Sequence, residues 1–210
     1  MPEPSVPLPD SSHGVEIMRR ARIWCESLGL KSSWLFDLNY ESSDWSFCVK
    51  LAAIAEDAVI ETLQNTITPP ELASIVTKRP QKERINLIQT LTLLDQNEAD
   101  GLRAIAMVRN GYAHGVSGIE RSVGQFLDRT DKAGLGRFNL LKNAYVPAAG
   151  DTPMPDGWLV ENHPRTALWA ALVSALSALY LARREHDLLR PPSPGPSPVF
   201  AKRQAGGVEF

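Results

Sequence analysis

The sequence predicts an all-α fold, a helical bundle, and three observations predict it. Apolar residues recur at helical spacing through several long stretches. Capping and stopping residues stand at the ends of those stretches: Gly29, Ser43 or Asp44, Pro69 with Pro70, and Pro164. The most apolar run, Ala167 to Ala182, carries Ser174 and Ser177 and falls short of the roughly 20 residues a bilayer span needs, which suits a core helix.

Composition sets the frame. With 210 residues, 43% apolar and 22% charged, the chain can bury a core without metal or disulfide support. A formal charge of −2 draws it globally neither to nucleic acid nor to an anionic membrane, so any phosphate binding must be local. Cys25 and Cys48 both sit among apolar helix neighbours, the setting of reduced, buried thiols. Residues 1–13 and 191–210 are proline-containing segments that read as flexible tails; the second is either a spacer or a polyproline ligand. Residues 14–190 form the expected domain. The N-terminus lacks a basic-then-apolar leader pattern, which points to a cytoplasmic protein with no membrane partner.

The elements follow in order. Val15 to Leu28 is an amphipathic helix with Ile17, Ala21, Trp24, Cys25 and Leu28 on one stripe, ended by Gly29. A longer helix begins at Ser43 or Asp44 and runs to about Ile67, with Phe47, Cys48, Leu51, Ile54, Ala55, Ala58, Val59, Thr62 and Leu63 on its apolar side. Its Glu56 and Asp57 read as a solvated acidic edge in preference to a catalytic carboxylate pair. A short helix, Glu71 to Thr77, leads into the densest basic cluster of the chain, which includes Lys78, Arg79, Lys82 and Arg84.

Ile85 to Leu94 is a helix apolar on more than one side. Asn97, with Asp100 three positions later, is the expected cap of the next helix, which carries Leu102, Ile105, Ala106, Met107 and Val108 toward Arg109 and His114 and stops at Gly115. Val116 to Val160 reads as irregular, apart from an apolar piece, Phe138 to Val146, open to helix or strand. Pro164 opens a last helix to about Leu189.

The segment Arg109, Asn110, Gly111, Tyr112, Ala113, His114, Gly115 holds the residues best suited to chemistry. Arginine is a permanent bidentate donor to phosphate, and histidine exchanges a proton near neutral pH. Together they suit phosphodiester cleavage, with His114 as general acid or base, Arg109 on the charge developing at phosphorus, and Asn110 orienting His114 or the attacking hydroxyl. On one straight helix Arg109 and His114 are roughly 140° apart. The long arginine, a distortion at Gly111, or a second copy across a two-fold axis would bring them together, the last most economically. A His before Gly also suits a simple C-terminal cap. His13, His114, His163 and His186 show no metal-ligand spacing, and neither metal nor cofactor is expected.

The Arg109-to-Gly115 segment, following the apolar helix Leu102 to Val108, resembles the signature of the HEPN superfamily (higher eukaryotes and prokaryotes nucleotide-binding). The likeness covers roughly residues 44–115 and is nearest to the branch of the mannitol operon repressor. It implies a HEPN-like bundle to which this chain adds an irregular insertion and a C-terminal helix. It implies a homodimer and, in many members, a metal-independent endoribonuclease, often a toxin or antiphage effector, in which the 2'-hydroxyl of RNA attacks the adjacent phosphate. Carried over, Arg109 and His114 are catalytic and Asn110 supports them. On the nuclease reading Lys78, Arg79, Lys82, Arg84 and Arg103 are candidate contacts to the RNA backbone, the alternative being a solvated, charged loop. An antitoxin or regulatory protein is then an expected partner. The alternative within the same resemblance is a noncatalytic dimeric regulatory or interaction module.

Overall fold

The computed structural model describes residues 12–113, 116–144 and 155–189, and every regular element among them is helical. The fold is all-α. Five helices precede the motif helix: α1 (Ser12–Ser27), α2 (Trp34–Asn39), α3 (Asp44–Thr66), α4 (Pro70–Thr77) and α5 (Gln81–Thr90). The motif helix is α6 (Gln96–Ala113), followed by α7 (Val116–Ile119), α8 (Val123–Phe126), α9 (Lys132–Ala144), α10 (Trp158–Asn162) and α11 (Pro164–Leu189).

α6 is the central helix, packed by α3, α5, α9 and α11. Gly101 lets α9 and α11 pack close: a Cβ there would lie 3.0 Å from the Ala171 Cβ of α11 and 3.1 Å from the Ala144 Cβ of α9. α3 and α11 run parallel, because Arg165 meets Asp44 at 3.2 Å near the start of both and Arg183 meets Glu61 at 2.7 Å toward the far end. α1 lies against α11, burying Ala21, Trp24 and Cys25. By length and composition Pro164–Glu185 is apolar enough to cross a membrane, a longer stretch than the sequence suggested. Within the bundle, however, Leu168, Leu172, Leu176 and Leu179 on it are fully covered.

Local chemistry sets the helix ends. Ser43 is extended and its hydroxyl accepts from the Ser46 N–H at 3.4 Å, which caps α3. The cap of α6 is Asp95, where Asn97 was expected. Its carboxylate accepts from the N–H groups of Asn97 and Glu98 at 2.8 and 3.0 Å, while Glu98 accepts from the Asp95 N–H at 3.1 Å. This reciprocal pair is a capping box with an aspartate at its head. α5 stops at Thr90, short of Leu94, and Thr92 enters the left-handed region at φ 57°.

Two regions depart from the expectation. α2 had no periodicity to betray it, being only six residues long, yet Leu35 and Leu38 are buried and the Trp169 Nε1–H donates to the Leu35 carbonyl at 2.7 Å. Residues 116–144, expected to be irregular, form α7, α8 and α9, and the apolar piece at Phe138 is helix through Ala144. Small residues hid this: Gly134 in α9 abuts Asp128 so closely that a Cβ would collide with its carbonyl oxygen. The expected tails fall, apart from residues 12 and 13, outside the described residues.

Candidate functional site at the end of α6

Arg109 lies one turn from the described end of α6, on the border between its buried and exposed faces. α6 runs as unbroken α-helix through Gly111, so no distortion there turns Arg109 toward the residues beyond. Gly111 serves packing instead: a Cβ would lie 2.5 Å from Cε1 and 2.8 Å from Cδ1 of Phe126. Phe126 also stacks at a tilt on Tyr112, with ring centroids 4.5 Å apart. The Tyr112 hydroxyl donates to the Arg121 carbonyl at 2.9 Å. Burial pushes its ionisation well above the ordinary tyrosine value, with Cys48 and Asp44 adding to the effect.

The Arg109 guanidinium turns toward α3. Its Nη2 meets the Glu56 Oε2 at 3.4 Å and its Nη1 donates to the Asn110 Oδ1 at 3.1 Å. Glu56 Oε1 is taken by Arg84 of α5, which is only 5% exposed and donates a second bond to the Thr77 carbonyl at 3.3 Å. Three helices therefore converge on one carboxylate, and two guanidiniums against it leave one positive charge in excess. The buried arginine binds Glu56 tightly and the partly exposed Arg109 binds it loosely. An incoming anion could thus recruit Arg109 without stripping Glu56 of its partner.

Glu56 corrects the reading of a solvated acidic edge; Asp57 alone is exposed there. Helical geometry carried the signal. Glu56 projects within roughly 60° of Ala52, Val59 and Leu63, so it stands on the rim of the buried stripe.

The sequence-derived RNA contacts divide into two sets. Lys78 and Arg79, between α4 and α5, and Lys82, in the first turn of α5, are exposed, with Arg79 3.9 Å from Glu83. Arg84 is buried against Glu56 and does not present its charge to a polynucleotide. Arg103 is committed as well: it pairs with the buried Asp100 at 2.8 Å and donates to Asn86 and Gln89 of α5 at 2.9 and 2.6 Å, stapling α5 to α6. For Arg84 and Arg103 the local packing overrides the expected role.

His114 lies outside the described residues; it follows Ala113 directly in the chain. Among the described residues no group of three or more His, Cys, Asp or Glu side chains is arranged to hold a metal ion. No protein-family model, curated protein or solved structure matches this chain.

Proposed function

We propose that this protein is a metal-independent endoribonuclease of the HEPN type, acting as a homodimer in which Arg109 and His114 from both copies form a composite site and Asn110 supports them. The observation that carries the reading is the excess positive charge of the Glu56–Arg84–Arg109 cluster, held at the end of α6 from which the His114 segment follows. A partly exposed arginine, oriented but loosely paired, is the group that charge building on a phosphorane calls for.

In this reading a 2'-hydroxyl loses its proton to a histidine and its oxygen bonds to the adjacent phosphorus. The bond from phosphorus to the 5'-oxygen breaks, and that oxygen takes a proton from an acid in the site. The products are a 2',3'-cyclic phosphate and a free 5'-hydroxyl. The two buried, unpaired thiols suit the cytoplasm, where such a toxin or antiphage effector would meet RNA and an antitoxin.

The test is incubation of purified protein with single-stranded and structured RNA in EDTA. Wild type is expected to leave cyclic-phosphate ends, and His114→Ala and Arg109→Ala to lose at least a hundredfold in rate. RNA left equally intact by wild type and His114→Ala ends the nuclease reading.

A noncatalytic dimeric regulatory module is the second reading. The net charge of −2 favours it. Growth arrest on expression that His114→Ala relieves decides for the enzyme; growth indifferent to that substitution, with a dimer lost on Arg109→Ala, decides for the module.

A further inference from the structure

We propose that Arg121 and Arg137 form a phosphate-binding site for single-stranded RNA beside the end of α6. The inference rests on the ribonuclease reading and says where the substrate backbone would run.

Phe126 organises the site. Its ring is almost wholly buried between Gly111 and Tyr112, and the guanidinium carbons of Arg121 and Arg137 stand 5.6 and 5.7 Å from its centroid. Both cations are thus held against one ring by cation–π attraction. Arg137 spends Nη1 on the Phe126 carbonyl at 2.7 Å, which fixes its plane. Arg121 is exposed, and its own carbonyl is tied to α6 by the Tyr112 hydroxyl at 2.9 Å. Fixing a guanidinium before the ligand arrives lowers the entropy lost on binding.

Pairing distinguishes these two from the arginines of α5 and α6 and from Arg129. Arg84 and Arg109 face Glu56, Arg103 faces Asp100 and Arg129 faces Glu161. Among the described residues neither Arg121 nor Arg137 has a carboxylate at ion-pair distance; Arg121 presents its charge to solvent, while Arg137, partly buried with its Nε covered, has Nη2 left for an anion.

The site also adjoins the motif. The chain leaves α6 after Ala113 and is back against it by Gly118, where a Cβ would lie 2.8 Å from the Gly111 carbonyl oxygen. The short connection between carries His114. A phosphate on Arg121 and Arg137 therefore brings its strand to the segment that holds the catalytic imidazole. α8 is also tied to the start of α3, where the Asp44 carboxylate accepts from the Val123 N–H at 2.8 Å.

The test uses the full chain with His114→Ala, which binds without cleaving, and a fluorescein-labelled single-stranded RNA read by anisotropy between 50 and 200 mM KCl. Arg121→Gln is expected to weaken binding roughly tenfold and to flatten the slope of log K against log salt by about 0.7, the share of one phosphate contact on a single strand. Arg121→Lys should restore the slope but only part of the affinity, since a point charge lacks the arginine fork. Lys31→Gln, at an exposed charge in the loop between α1 and α2, is the comparison and should change neither.

An Arg121→Gln protein that melts like its parent and keeps its affinity and slope overturns the site. Cleavage by wild type in EDTA is scored separately. RNA binding that depends on Arg121 without wild-type cleavage keeps the phosphate site and ends the nuclease reading. Cleavage with KM unmoved by Arg121→Gln does the reverse, and a wild type that neither binds nor cleaves RNA overturns both.

Discussion

The ring of Phe126 occupies the space in which a side chain at Gly111 would stand, 2.5 Å from the nearest ring carbon. One atom's absence in α6 thus seats α8, and with it Arg121, against the motif. Gly111→Ala gains about 1 kcal/mol of helix propensity. It also forces a ring already packed on Tyr112 to move, and such overpacking costs about 1–3 kcal/mol. We expect a net loss of stability and a lower melting temperature by calorimetry, with Phe126→Leu in the same chain recovering part of it. A Gly111→Ala protein that melts at or above wild type would show that the ring is not confined.

Glu56 is expected to matter more than either arginine it holds. Glu56→Ala leaves the buried Arg84 without its carboxylate. Breaking a buried pair costs about 3–5 kcal/mol, and the partial exposure of Glu56 reduces this to roughly 2–3. Arg84→Met removes the charge and keeps most of the volume, and should cost under about 1 kcal/mol. Urea titration of both variants checks the order; equal losses would mean that the carboxylate is not the hub.

Arg103 separates structure from RNA binding. Arg103→Gln breaks its bonds to Asp100, Asn86 and Gln89 and should lower stability by about 1–2 kcal/mol. Because those groups already satisfy its guanidinium, the salt dependence of RNA binding should not change. A flatter salt slope with unaltered urea midpoint would assign Arg103 to the substrate instead.

How far the sequence could be read follows from these same residues. α3 and α11 were legible because their apolar stripes are long and end at Ser43, Pro69 and Pro164, and the observed α11 spans Pro164–Leu189 as expected. α2, α7 and α8 were not, because four to six residues carry too little periodicity to register. At the site, Arg109 and Asn110 stood out by chemistry. Glu56 did not, since a carboxylate beside Asp57 resembles solvated charge until α5 and α6 bring arginines to it from distant positions. Arg84 and Arg103 were misjudged for the converse reason: a cation's partners at long range are invisible in a linear pattern. Gly111 suggests a bend by its type alone, whereas its neighbour, Phe126, belongs to the stretch expected to be irregular.

The buried thiols give the alkaline limb of stability. Burial pushes Cys25 up from its ordinary value of 9 to about 12, and pushes Cys48 up further, with the nearby Asp44 adding to the shift. Below pH 9 folded and unfolded chains both keep these protons, and the stability they contribute is complete. As pH rises above 9 the unfolded chain releases its thiol protons while the folded chain still holds them, so stability falls toward pH 12. Cys25→Ala should flatten that fall in urea titrations between pH 8 and 10.5, with the full effect on Cys48 retained. Ellman's reagent at pH 8 should react with neither cysteine of the native protein and with both after denaturation. A native chain that reacts promptly, or a Cys25→Ala variant with an unaltered alkaline slope, would show that solvent reaches the α1–α11 core around Trp24.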